Sequence, residues 1–157
     1  MNYTEWLSTV PSEITNDPIW KLEVYRLALF VGDIGWNDVL TLSKINLMWG
    51  VADQLHRSLG SISANLTEGY SRSKGLDRAR FFEISLGSAR ESRDWYYKSH
   101  HVLPIEVVKH RMELMTKIIS MLTSMISHQR KHAIREEQAE YDVQPSDFSL
   151  DSEVPFP

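Results

Sequence analysis

The sequence predicts an all-α protein, namely an up-down-up-down four-helix bundle followed by a disordered acidic tail. Apolar and small residues recur at alternating steps of four and three over long stretches, the spacing of a helix face that packs lengthwise on other helices. Hydrophobic residues make up 42% of the 157 residues, enough for one domain with its own core. The final stretch, 136–157, holds seven acidic residues, three prolines and no Lys or Arg. We therefore divide the chain into an N-terminal segment (1–16), a bundle (17–135) and a tail (136–157).

The first helix is predicted to start at Asp17-Pro18, because Asp is a favoured N-cap and Pro suits the first helical position. Before it, Trp6 belongs to a candidate docking segment that Pro11 ends. Gly32 and Gly35 are plausible terminators of the first helix, with 35–42 as a connection. Its apolar face repeats by four and three at Trp20, Val24, Leu27, Val31 and Ile34.

A helical hairpin is predicted for the middle of the chain. Ser43 is the expected N-cap of the second helix, which should run to about Gly69. The polar break at 71–75 is long enough only for a tight reversal. The third helix should then run from Leu76 or Asp77 to about Val102. Two long helices joined by so short a loop must lie antiparallel.

The fourth helix should begin at Ile105, since Leu103-Pro104 makes a break. It carries two neighbouring apolar stripes, which together cover roughly half of its circumference at about 100° per residue. A wide bundle core or a contact with another subunit would explain this excess, and we favour the subunit contact. The predicted oligomer interface comprises Leu114, Ile118, Met121 and Met125.

Sequence motifs of catalysis are missing. The chain has no cysteine, no Gly-rich phosphate loop after a strand and no nucleophile-elbow serine, so we expect neither enzymatic activity nor a cofactor. His128, His132 and Glu136 are spaced by four on a helix, which can hold a metal ion. A solvated face near a fraying helix end is the interpretation we favour, so no metal is expected.

Charge is divided unevenly along the chain. Residues 1–56 have a net charge of −4, residues 57–135 of +7 and residues 136–157 of −7. A basic stripe on a helix is typical of nucleic-acid binding, whereas a normal solvated face paired with Asp77, Glu91 and Asp94 is the alternative. The candidate nucleic-acid-binding residues are Arg57, Arg72, Lys74, Arg78, Arg80, Arg90, Arg93 and Lys98.

The absence of cysteine fits a cytoplasmic protein. The N-terminal residues show no basic segment followed by an apolar run, so we expect no signal peptide. No apolar stretch is long enough to span a bilayer, and no membrane association is expected.

Three motifs resemble a known family. They are Gln54-Leu55-His56-Arg57, then Ser61-Ile62 with Asn65-Leu66 and Glu68-Gly69, and finally Leu86-Gly87-Ser88 with Glu91. Together with Arg80-Phe81-Phe82 they resemble the bacterial four-helix-bundle family, also called the 23S rRNA intervening-sequence protein family. The resemblance covers roughly residues 18–130. Departures are His56, where the family usually has arginine, Ser63, where proline is common, and the added acidic tail.

The resemblance implies an up-down-up-down bundle that assembles into a ring-like homopentamer. It also relates the chain to the accessory variability protein of diversity-generating retroelements, which binds nucleic acid and a reverse transcriptase. We therefore expect a non-enzymatic oligomer that binds structured RNA, or an RNA–protein complex such as a reverse transcriptase ribonucleoprotein. The acidic tail could lie over the basic stripe and lower affinity. The alternative is a protein-interaction scaffold that displays acidic tails, with Phe148, Leu150 and Phe156 as anchors.

Overall fold

The computed structural model of the chain describes residues 2–73, 75–130, 153, 155 and 156. Within these residues all regular secondary structure is helical, which confirms the all-α prediction. The helices are α1 (Tyr3–Leu7), α2 (Ser12–Thr15), α3 (Glu23–Ser43), α4 (Trp49–Tyr70), α5 (Gly75–Lys98) and α6 (Ile105–Gln129). Short 3-10 turns cover Pro18–Lys21, Asn46–Met48 and Ser99–His101. Most of the predicted disordered tail, 136–157, lies outside the described residues.

The four long helices enclose one hydrophobic core. Helix α3 packs against α4 and α6, and α5 packs against the same two helices. The α4–α5 contacts run in opposite chain directions, because Ser58 meets Ser92 whereas Ile62 meets Ser85. The predicted helical hairpin is present, and its turn spans only the few residues between Tyr70 and Gly75.

The prediction that the first helix ends near Gly32 or Gly35 is wrong. Helix α3 continues through both glycines to Ser43, so Ser43 closes a helix instead of capping the next one. Gly35 serves a close helix approach: a Cβ there would lie 2.6 Å from Leu59 Cδ1 and 2.9 Å from the Tyr96 hydroxyl. Because the packed neighbours hold α3 together, the helix tolerates the conformational freedom of its two glycines.

The N-terminal segment belongs to the core. Trp6 is 2% exposed, and its indole Nε1 donates a 2.7 Å hydrogen bond to Asp33 Oδ2 on α3. Its ring and that of Tyr3 both pack against Phe30, with ring centres 5.3 and 5.2 Å apart. The short helix α1 therefore docks on α3, as its aromatic residues suggested.

Most residues of the two apolar stripes of α6 are buried in the core of the same chain, so a wide core accounts for much of the apolar excess. Leu114 and Ile118 are fully buried within the chain, and this structure leaves neither side chain available to a second copy. Met121 and Met125 are only partly buried. For these two methionines the subunit contact stays a prediction.

No helix among the described residues combines the length and the apolar character that crossing a bilayer requires.

Candidate nucleic-acid interface

A seam of small side chains holds α5 close to α4 and so positions the basic residues of both helices. Ser92 Oγ donates to Ser58 Oγ at 2.8 Å, and Ser88 Oγ donates to Ser61 Oγ at 2.9 Å. Serine hydroxyls are short and satisfy one another, so two helices can approach closely without burying unpaired polar groups. The motif residues Ser61 and Ser88 thus have a packing role in this chain.

Three predicted stripe residues are paired with carboxylates on their own helices. Arg57 lies 3.1 Å from Asp53, Arg72 lies 2.5 Å from Glu68, and Lys98 lies 2.5 Å from Asp94. All three pairs are four residues apart and at least two-fifths exposed, the setting in which a pair contributes only about 0.3–0.5 kcal/mol. In each pair the carboxylate offsets the positive charge, so these three residues add little to the field of the stripe.

Four further stripe residues have no carboxylate partner among the described residues. Arg78 donates to the backbone carbonyl of Arg72 at 2.7 Å, and Arg93 reaches the Thr116 hydroxyl at 3.5 Å. Arg80 and Arg90 are exposed, and neither makes a hydrogen bond or ion pair with another described residue. Lys74 lies outside the described residues. Of the eight candidate nucleic-acid-binding residues, four on α5 therefore have no carboxylate partner among the described residues. We call them the open arginines: Arg78, Arg80, Arg90 and Arg93.

The open arginines are spread along one helix, α5. Arg80 and Arg90 are ten residues apart, roughly 15 Å at 1.5 Å per residue. No described groups of three or more His, Asp or Glu side chains form a metal site there. Such an arrangement suits several phosphates of an extended polyanion.

A buried polar network, which the sequence reasoning missed, joins α3, α5 and α6. Arg111 and Asp38 are fully buried, and the Arg111 Nε donates to Asp38 Oδ2 at 2.8 Å. The Tyr96 hydroxyl donates to the same Asp38 oxygen at 3.0 Å. Asp38 fell in the expected 35–42 connection, and Arg111 fell among the apolar stripes of α6. The signal in the sequence was Arg111 itself, a charged residue at the apolar spacing between Val108 and Met115.

Burial controls the protonation of two members of this network. Burial raises the pKa of Tyr96 well above its ordinary value, and the nearby Asp38 charge adds to the rise. Burial lowers the pKa of His110 to about 4, with the Arg111 charge contributing. Because arginine is only a donor, the 2.9 Å contact between Arg111 Nη1 and His110 Nδ1 makes that ring nitrogen the acceptor. These groups are buried in the core and satisfy one another's hydrogen bonds.

Other motif residues also have local structural partners. Asn65 Nδ2 donates to the Ser61 carbonyl at 2.7 Å, and His56 packs edge-on against Trp36 at 5.6 Å between ring centres. Gly69 allows Phe82 to approach, since a Cβ there would lie 2.8 Å from the Phe82 ring. Of the proposed metal-spacing residues, His128 is exposed on α6, whereas His132 and Glu136 lie outside the described residues.

Comparisons with known proteins place this fold in a family. The sequence model described as 23S rRNA-intervening sequence protein matches residues 21–127. A crystal structure of a protein of unknown function from the S23 ribosomal protein family of Bacteroides thetaiotaomicron is similar, with a TM-score of 0.61 and 23% sequence identity. That similarity covers 66% of this chain and 97% of the other. A search of curated proteins found no match. Because the family model spans α3 to α6, the chain belongs to the 23S rRNA-intervening sequence protein family.

Proposed function

We propose that this protein is a non-enzymatic, cytoplasmic helical bundle that binds structured RNA, or an RNA–protein complex such as a reverse transcriptase ribonucleoprotein. The observation that carries the proposal is the exposure of Arg80 and Arg90 without a carboxylate partner among the described residues. Had carboxylates held each open arginine, α5 would present an ordinary neutralised face. The family's description, which refers to a 23S rRNA intervening sequence, gives independent support for RNA association.

The proposed mechanism is phosphate neutralisation without base readout. Arginine forms bidentate, charge-assisted hydrogen bonds with phosphate, and it stays charged throughout the physiological pH range. In this mechanism the open arginines contact the phosphate backbone and leave base edges unread. Binding therefore releases counterions and weakens steeply as salt rises.

Self-association strengthens this mechanism. Four open arginines on one chain give a modest field, whereas a ring-like homo-oligomer, with five copies as the expected number, repeats them around a single assembly. The four-helix, up-down-up-down interpretation of α3–α6 suits such a ring, with Met121 and Met125 as the remaining predicted contact residues. Sedimentation velocity at micromolar concentration tests self-association, and a stable monomer would contradict it.

Filter binding of the purified protein to a folded RNA, in a salt series from 50 to 200 mM, tests the function. We expect a linear fall of log affinity with log salt concentration and little dependence on RNA sequence. An affinity that does not change across the series would contradict the proposal, because phosphate contacts cannot be insensitive to salt.

A second candidate function, a protein-interaction scaffold, is favoured by exposed apolar side chains where α3 meets α4. Leu47 is 90% exposed and Trp49 is 63% exposed, in and just after the 3-10 turn between these helices. Trp36, also on this end of α3, is 52% exposed. Contiguous exposed apolar patches mark sites of protein–protein contact. Replacement of Leu47 by Ser should abolish partner binding under this reading and leave RNA affinity unchanged.

A further inference from the structure

The buried Arg111 has one hydrogen bond that links it to the C-terminal end of the chain. Its Nε and Nη2 donate to Asp38 at 2.8 and 3.2 Å, and Nη1 contacts His110. The second proton of Nη2 points to the carbonyl oxygen of Pro155, at 2.9 Å. A fully buried guanidinium needs acceptors for its donors, and this carbonyl supplies one that neither α3 nor α6 provides.

The neighbouring residue of the same segment lies against α3. The Phe156 ring centre is 5.9 Å from Arg111 Cζ, within the range of a cation–π contact. Phe156 also forms one wall of a groove of about 400 Å³. The rest of that groove is lined by Asn37, Leu40, Thr41 and Lys44, at the C-terminal end of α3.

Chain length and charge both suit this contact. Arg130, at the end of α6, lies nineteen residues beyond Arg111, roughly 28 Å along the helix axis. The twenty-four residues between Arg130 and Pro155 can extend to roughly 80 Å, so the segment reaches Arg111 of its own chain without strain. The tail from 136 onward carries seven acids and no Lys or Arg, and Lys44 in the groove provides a complementary positive charge.

We infer that the buried Arg111 and the C-terminal end of α3 together form a peptide-binding site, and that its occupant is the Pro155-Phe156 segment of the same chain. Recognition rests on the Pro155 carbonyl at the buried guanidinium and on the Phe156 ring, which lies 5.9 Å from Arg111 Cζ and lines the same groove as Leu40. The docked segment contacts both Arg111 of α6 and the C-terminal end of α3, on the side of the molecule opposite the α4–α5 seam. This inference does not depend on RNA binding, and a failure of the proposed function leaves it unchanged.

Fluorescence polarisation with a labelled peptide of residues 151–157 tests the site in the full-length chain. In the wild type the tethered segment competes at an effective concentration in the millimolar range, so added peptide should bind weakly. In the Phe156→Ala chain the tethered segment loses its aromatic contact and competes less well, so we expect the added peptide to bind at least tenfold more tightly. Phe148→Ala is the matched control, and it should behave like the wild type.

Two further variants show whether the peptide binds through its Phe ring and at the end of α3. A peptide in which Phe is replaced by Ala should bind the Phe156→Ala chain at least tenfold more weakly. Adding Leu40→Asp to that chain should have the same effect on the unmodified peptide, and because Leu40 is 43% exposed we expect the variant to fold, which circular dichroism checks. Equal peptide affinity for the wild-type and Phe156→Ala chains, or no binding to either, would overturn the inference. The inference would also be overturned if the Phe148→Ala chain bound the peptide as tightly as the Phe156→Ala chain.

Isotope-filtered NMR distinguishes the chain's own segment from that of a neighbouring copy. In a uniformly labelled sample we expect nuclear Overhauser effects between the Phe156 ring and the Leu40 methyl groups. In a mixture of labelled and unlabelled chains, filtered spectra should lack these signals between different chains. Their presence between chains would refute docking within one chain.

Discussion

Replacement of Arg80 and Arg90 by Gln should flatten the salt dependence of RNA binding. Four open arginines, each neutralising one phosphate, set an upper limit of about −3.6 on the slope of log affinity against log salt, at about 0.9 per phosphate of a duplex. Affinity then falls about 150-fold between 50 and 200 mM salt. The double variant retains two such contacts, so its slope is about −1.8 and its affinity falls only about 12-fold.

The control for this experiment is a second double variant with the same change in net charge. Arg57→Gln with Lys98→Gln removes two cations that Asp53 and Asp94 already pair. We expect its slope to stay near that of the wild type, because these side chains contribute little free charge. Fluorescence anisotropy with a labelled duplex RNA measures all three slopes, and circular dichroism confirms that each variant is folded. Equal slopes for the two double variants would refute the assignment of the contacts to Arg80 and Arg90.

Three predictions concern the core. Asp38→Ala should lower the free energy of unfolding by about 3–5 kcal/mol in urea titrations, because it leaves the buried Arg111 without its counter-charge. If the double variant Asp38→Leu with Arg111→Met regains this stability, the unpaired charge is the cause. Gly35→Ala should lower the free energy of unfolding by about 1–3 kcal/mol, because the added methyl group overlaps neighbouring side chains. Gly32→Ala, whose methyl group would have no atom within 4 Å, should raise it by about 0.5–1 kcal/mol, and thermal unfolding measures both. His110 has a pKa of about 4 in the folded chain, below its unfolded value of 6.5, so the unfolded state binds more protons between these values and stability falls as pH falls. From pH 7 to pH 5 this loss is about 2 kcal/mol, and His110→Gln should remove it; an unchanged pH profile would contradict the cause.

Local sequence signals located most of the helices. The Pro104 break placed the start of α6 at Ile105, and the polar stretch after Gly69 placed the turn between α4 and α5 within a residue or two. These boundaries depend on the conformational limits of Pro and on short-range capping, which a sequence displays directly. The error at Gly32 and Gly35 arose because helix termination was inferred from glycine alone, although long-range packing held α3 together.

The candidate site was only partly predictable. The sequence identified the arginines, but it did not reveal which of them would be paired. Arg57, Arg72 and Lys98 each have an acid four residues earlier, and the structure forms all three pairs. Asp77, predicted to neutralise part of the stripe, forms no ion pair with a described residue. Side-chain rotamers and neighbouring helices decide such pairings, and spacing only permits them.

By itself the sequence determined the helical class, the hairpin and the separation of charge along the chain, because each depends on residue spacing or composition. Tertiary structure decided which surfaces remain open. It placed most residues of both stripes of α6 in a single core, so Leu114 and Ile118 are hidden within one chain. It also brought Asp38 and Arg111, seventy-three residues apart, into one buried pair that the C-terminal segment covers. Contacts at that separation depend on how whole helices pack, and no local pattern in the chain encodes them.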